Sequence, residues 1–153
     1  MSSLYHPELC RTNIAADDAE HVITILAGAL LEQRLVHPSF TEAVIQRERT
    51  SPTGLPMTGR KVAVPHTDPE HVITSAVAVG TLARPVCFRE MGNPDSRLEV
   101  DVVLLLALRD RDSIQAELVR LIESFQRPGF VDQLYDARGS RALFQLVGDG
   151  EQP

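Results

Sequence analysis

Apolar and polar positions along this chain recur with two different periods, and the switches between them mark out its elements. From Ala19 onward, Val22, Ile23, Ile25, Leu26, Ala29, Leu30 and Leu31 fall at helical spacing and predict a helix with one buried face that ends near Arg34. Asp17, followed by Glu20, has the form of a capping box, in which the two side chains satisfy backbone N–H groups of the first turn. Pro38-Ser39-Phe40-Thr41-Glu42 predicts a second helix start by the same device, with Ser39 capping, Glu42 reaching back and Arg47 on the last turn. Ahead of both helices, Leu4, Tyr5, Leu9 and Ile14 sit among polar neighbours and predict a short strand or extended arm within residues 1–16.

The middle of the chain reads in strands. Val62-Ala63-Val64 is the end of a buried strand that stops at Pro65-His66-Thr67. Thr67 to His71 reads as a turn, and Thr74 to Val79 alternates as a second strand. Pro85 to Phe88 predicts a short strand at an edge, because proline cannot donate to a ladder. Gly92 to Ser96 reads as a loop. Val100 to Leu108 is the most continuous apolar run and predicts a central strand covered on both faces. Asp112 would cap the next helix, with Ile114, Leu118, Leu121, Ile122 and Phe125 as its buried stripe, and helices over Phe130–Tyr135 and Ser140–Val147 close the pattern. Strands interleaved with helices predict an α/β fold, a mixed sheet of about four to five strands sandwiched between helices.

Length and composition change this picture little. The 153 residues make one domain the simplest expectation, spanning 1–153. A net charge of −6 and the absence of tryptophan argue against nucleic acid and anionic lipid as partners. The first ten residues lack the charged lead and apolar run of a signal peptide, and no apolar run is long enough to cross a bilayer. Cys10 and Cys87, far apart and without a C-x-x-C pattern, read as reduced, small hydrophobes of a cytoplasmic protein.

Candidate chemistry gathers around His66. A strand ending in Pro-His-Thr presents an imidazole at the rim of a sheet on a stiff backbone, where open α/β sheets bind ligands. Upstream lie Arg47 and Arg49, then the hydroxyl-bearing turn Ser51-Pro52-Thr53-Gly54-Leu55. Imidazole, arginine and hydroxyl together suit an anion held at a nucleophilic nitrogen, with Arg47 offering a planar fork of donors and Thr53 a hydroxyl. Each residue also has a plain reading: His66 as a surface or core histidine, and the two arginines as cations favoured at a helix C-terminus. Arg47 and Arg49 are two positions apart and face different ways, so only one would point at the strand end. His66, Asp68, Glu70 and His71 lack the helical spacing of a zinc pair, and Pro69 interrupts them, so no metal is expected. No G-x-S-x-G, P-loop or other cofactor motif is present, and none is expected.

Arg47-Glu48, Pro52-Thr53-Gly54-Leu55 and Val62-Ala63-Val64-Pro65-His66-Thr67, in this order, resemble the IIA component of the bacterial sugar phosphotransferase system, fructose/mannitol type. The P-T-G-L form and Arg84 to Met91 resemble the galactitol branch, and the likeness runs over roughly Leu4 to Leu146. The resemblance implies a phosphocarrier: His66 would accept a phosphoryl group from a histidine phosphocarrier protein and pass it to a cysteine of a IIB component, with the membrane reached only through a IIC partner. It selects Arg47 as the arginine at the site. It also implies a departure, because mannitol-type relatives often carry a second histidine where this chain has Ser113, which would contribute one hydrogen bond and no charge. Two other functions keep the same site, a regulatory module whose phosphorylation on His66 controls a partner protein and a relative that only recognises an anion.

Overall fold

The computed structural model describes residues 3–150, with side chains through residue 148. Its sheet has four strands, β1 (Cys10–Ile14), β2 (Lys61–Ala63), β3 (Ala76–Glu90) and β4 (Asn93–Ala107). They lie in the order β1-β3-β4-β2, with β3 and β4 antiparallel and the outer strands parallel to their neighbours. Five helices flank it: α1 (Ala19–Glu32), α2 (Phe40–Thr50), α3 (Arg111–Phe125), α4 (Phe130–Asp136) and α5 (Ser140–Gly150). Among the described residues no helix is long and apolar enough to cross a membrane.

The continuous apolar run of β4 is buried on both sides, as expected. Val103, Leu105 and Ala107 pack with α1 and α2, while Val102, Leu104 and Leu106 pack with α3, α4 and α5. On β3, Ala76 and Ala78 face the first layer and Val77 and Val79 the second, so over this stretch the two-residue period sorts side chains between two cores. The residues facing α1 are small because that helix lies close. A Cβ added to Gly80 would come within 2.7 Å of Ile14 and 3.1 Å of Leu26.

The strands differ from expectation in length. The segments read separately as Thr74–Val79 and Pro85–Phe88 form one 15-residue strand, β3. Pro85 falls in a break of register between Thr81 and Val86, and beyond the part of β3 that β1 borders, so its missing N–H interrupts no ladder. The loop expected at Gly92–Ser96 shrinks to a tight turn: Glu90 pairs with Asn93, and Gly92 adopts φ 79°. Of the two cysteines read as small hydrophobes, Cys10 is buried and Cys87 is exposed on β3.

Helix caps also shift by one or two residues. Asp18, not Asp17, caps α1, accepting from the His21 amide at 2.8 Å. Glu20 is thereby free to pair with Arg49 at 2.7 and 3.0 Å, tying α1 to α2. Ser39 already has helical φ and ψ and cannot cap α2; its hydroxyl meets His71 Nδ1 at 2.8 Å. Asp110, not Asp112, caps α3, accepting from the Ser113 amide at 2.7 Å. Under α3, Glu117 is buried, and it accepts from the buried Tyr5 hydroxyl and from both Arg120 Nε and Nη2. That group pins the rotation of α3 about its own axis.

The Thr53-to-Leu55 segment is stitched to the hairpin and to β2. Gly54 N–H donates to the Arg89 carbonyl at 3.0 Å, its carbonyl accepts from Met91, and Leu55 N–H donates to Val62. A Cβ on Gly54 would sit 2.7 Å from the Arg89 carbonyl oxygen, a backbone atom that cannot step aside. Gly54→Ala is therefore expected to destabilise the protein by about 1–3 kcal/mol in urea unfolding. Gly28→Ala, inside α1 with open space around the new methyl, is expected to stabilise by up to about 1 kcal/mol. Equal effects of the two substitutions would refute the stated tightness at Gly54.

Candidate functional site

His66 is positioned by backbone bonds on both sides of it. Past the end of β2, Val64 N–H donates to the Thr53 carbonyl at 3.3 Å, and the Pro65 carbonyl accepts from Leu106 N–H at 3.0 Å. The chain thus stays extended beside β4 up to the imidazole. The ring turns back on its own strand, with Nδ1 3.0 Å from the Val64 carbonyl oxygen. A carbonyl oxygen only accepts, so Nδ1 carries the proton and Nε2 keeps a free lone pair. Burial lowers the pKa of His66, the positive charge of Arg47 lowers it further, and the Val64 carbonyl and Asp68 act against both. The depressed value favours the neutral, nucleophilic ring at and below the ordinary imidazole range.

A cleft of about 370 Å³ opens at this strand end. Arg47 reaches it from the last turn of α2, and Thr53 from the stitched loop. Met91 comes from the hairpin turn, and Arg111, Ile114, Gln115 and Leu118 come from α3. Asp68 stands between the two arginines, its Oδ1 3.5 Å from Arg47 Nη1 and 3.6 Å from Arg111 Nη2. Arg47 Nε is buried with no hydrogen-bond partner. A buried donor without an acceptor is costly, and an anion arriving in the cleft would supply one.

Of the residues singled out from sequence, His66, Arg47 and Thr53 line this one cleft, and Ser113 does not. Arg49, as the spacing argument required, faces elsewhere and is paired with Glu20. Thr53 has a different occupation from the expected one. Its amide donates to Glu48 Oε2 at 2.9 Å and its hydroxyl to Glu48 Oε1 at 2.8 Å, so its one hydroxyl proton is already committed. Thr53 anchors the loop that walls the cleft. Ser113 turns its hydroxyl back to Asp110 Oδ2 at 2.8 Å and borders a different depression, beside Leu108 and Arg109. Helical spacing explains the displacement. Residues 111, 114, 115 and 118 share a face at i, i+3, i+4 and i+7, whereas 113 points well away from it.

Arg111 and Asp68 were missed in sequence. Arg111 lies in the stretch that drew attention to Ser113, but only the rotation of α3 shows which residue faces the histidine. Asp68 reads as solvated rim until the two guanidiniums are placed around it. Glu48 gives no sequence signal beyond its place after Arg47.

An α/β sandwich with a half-buried imidazole, an arginine whose buried Nε has no partner and a second arginine at one strand end has the chemistry to hold an anionic group beside a histidine. Residues 3–149 match the family described as phosphoenolpyruvate-dependent sugar phosphotransferase system, EIIA 2, and the chain belongs to that family, whose members carry phosphoryl groups. Relatives differ in setting. The galactitol-specific EIIA component of Escherichia coli (strain K12) is 28% identical over 125 residues, covering 81% of this chain and 82% of that protein. The transcriptional regulator ManR of Bacillus subtilis (strain 168) is 30% identical over 122 residues, 76% of this chain but only 17% of that longer protein. Among solved structures, the Escherichia coli complex of enzyme IIAMTL with phosphorylated enzyme IIBMTL superposes with a TM-score of 0.75 at 21% identity, covering 93% of this chain and 95% of the matched one.

The Glu48–Thr53 latch generates a pH prediction. Burial pushes the Glu48 carboxyl up to about 7, against the two Thr53 bonds and the Arg89 charge, which favour ionisation. An unfolded glutamate releases its proton near roughly 4.3. Between those values the folded state binds more protons, so this group's contribution is fully present below the unfolded pKa and falls as pH rises through the window. Urea unfolding from about pH 5 to about pH 8 should show Glu48→Gln gaining on the unsubstituted protein as pH rises, since glutamine keeps a donor and an acceptor for Thr53 without titrating. A constant difference across that range would mean Glu48 is ionised throughout.

Proposed function

We propose that this chain carries a phosphoryl group on His66 Nε2 in the phosphoenolpyruvate-dependent sugar phosphotransferase system, taking it from a histidine phosphocarrier protein and delivering it to a IIB component. The observation that carries this reading is the Nδ1–Val64 bond, which leaves Nε2 as the available nucleophile at a cleft furnished with Arg47. In the first transfer the Nε2 lone pair attacks phosphorus, and the donor's N–P bond breaks with its electron pair returning to the donor imidazole. His66 keeps its Nδ1 proton, and the Val64 carbonyl meets a ring that has become more positive. In the second transfer a thiolate of the IIB component attacks phosphorus, and the Nε2–P pair returns to His66. The transferring group spreads negative charge over its oxygens, so placed donors matter more than an acid or a base. Arg47 supplies them.

The acceptor assignment draws on the fold likeness to a IIA domain that was solved together with a phosphorylated IIB partner. A galactitol-like sugar is favoured by the galactitol-specific relative, which aligns over most of both chains. The protein would act in the cytoplasm and reach the membrane through its IIB and IIC partners. A second reading, a regulatory module whose phosphorylation on His66 controls a partner protein, is favoured by the likeness to ManR, a transcriptional regulator in which the aligned region is a small part. Both readings share the phosphorylated histidine and separate on what the phosphoryl group does next.

Incubation with phosphoenolpyruvate and the general phosphotransferase proteins should place an acid-labile phosphate on His66, and His66→Ala should abolish it. Arg47→Ala should slow transfer by roughly a hundredfold or more. Its thermal stability should move little, because a cation at a helix end contributes well under ~2 kcal/mol. Label on His6, His21, His37 or His71 in the His66→Ala protein would overturn the assignment, as would undiminished transfer by Arg47→Ala.

A further inference from the structure

Asp68 places one carboxylate oxygen between two guanidiniums, at distances longer than good charge-assisted hydrogen bonds. All three side chains are partly open to solvent: 39% exposed for Arg47, 42% for Asp68 and 77% for Arg111. Ion pairs this exposed hold weakly and let go readily. Among the described residues Asp68 is the only acceptor paired with Arg111, which projects from the first turn of α3 on the face that carries Gln115 and lies in the cleft wall with His66. The site therefore holds two cations and one internal anion, plus one buried Arg47 N–H that the internal anion does not satisfy.

We propose that Arg111 is the second phosphate-binding cation of this site, and that Asp68 is a resident anion which holds Arg47 and Arg111 in place when the site is empty and competes with phosphate for them. The proposal rests on the His66 reading for its ligand and names how that site sets its affinity. With Asp68 between them the arginines leave a net charge of +1 facing the cleft, from two cations and one carboxylate. A dianionic phosphate outcompetes a monoanion because it brings more charge and three oxygens to share between the two forks. The carboxylate then keeps the site from holding phosphate too tightly, which suits a carrier that must give its group away. Ser51, Thr53, Thr67 and Gln115 supply the rest of the polar lining; Glu48 lies outside it, bonded to Thr53, and takes no part in the competition.

Inorganic phosphate titrated at constant ionic strength, with the His66 ring followed by NMR, tests this. Arg111→Gln should weaken phosphate binding by about three- to tenfold, and Arg111→Lys should recover part of the loss. Asp68→Asn should tighten binding by a similar factor, and its effect should shrink when Arg111→Gln is also present. Both positions are exposed enough for the variants to fold, which circular dichroism would verify. Unchanged affinity in Arg111→Gln, weaker binding in Asp68→Asn, or effects that simply add would each overturn the proposal. Phosphoramidate, a small phosphoryl donor, separates this from the parent reading. Failure to label His66 in the unsubstituted protein would refute the phosphocarrier assignment, while the phosphate affinities alone decide the roles of Arg111 and Asp68.

Discussion

A strand that is apolar on both faces has to be covered on both faces, and β4 imposes that requirement on everything around it. Its alternate residues feed two cores, one closed by α1 and α2 and the other by α3, α4 and α5. Because β2 lies parallel to β4 and ends well before it, the chain leaves the sheet beside Leu106 and exits between the two helical layers. The C-terminal turn of α2 and the N-terminal turn of α3 flank that exit. The site is therefore where the two layers meet around a short strand, and each layer sends one arginine into it.

Within that frame, polar groups are divided between structural and functional work with little overlap. Glu48 and Thr53 satisfy each other and fix the loop, Glu20 and Arg49 join two helices, and Tyr5, Glu117 and Arg120 lock α3. What remains open in the cleft is two arginines around one carboxylate, a net positive group in a protein whose net charge is −6. A small positive site on an anionic body favours an anion locally without making the whole surface sticky to nucleic acid.

Much of this was legible in sequence, and the parts that were not share a cause. Periodicity located all five helices and the doubly covered strand, because burial on one or two faces writes itself directly into residue order. It split β3 in two, because Pro85 is a valid stop signal locally and is tolerated only where the register breaks beyond the last pairing with β1. It misplaced caps at Asp17, Ser39 and Asp112, because adjacent acidic or hydroxyl residues compete for one geometric role that only backbone angles decide. His66 was legible because a strand end is a local feature, whereas the helix end offered both Arg47 and Arg49 and the family resemblance chose between them. The facing of Ser113 and Arg111 was not legible, because it depends on the rotation of α3, and that is set by the buried Tyr5–Glu117–Arg120 group more than a hundred residues apart in sequence.

The bond from His66 Nδ1 to the Val64 carbonyl has one more consequence. A histidine that gains and loses a group at one nitrogen often has to shuttle hydrogen at the other, and its working then follows the acidity of its surroundings. Here the second nitrogen's hydrogen is held by the peptide of the residue two positions earlier, in an extended segment that the sheet keeps stiff. Nothing acidic or basic has to be recruited when a group arrives or departs. Any group exchanged at Nε2 would then come and go without a proton moving at Nδ1, so long as the pH stays above the ring's lowered pKa and Nε2 keeps its lone pair.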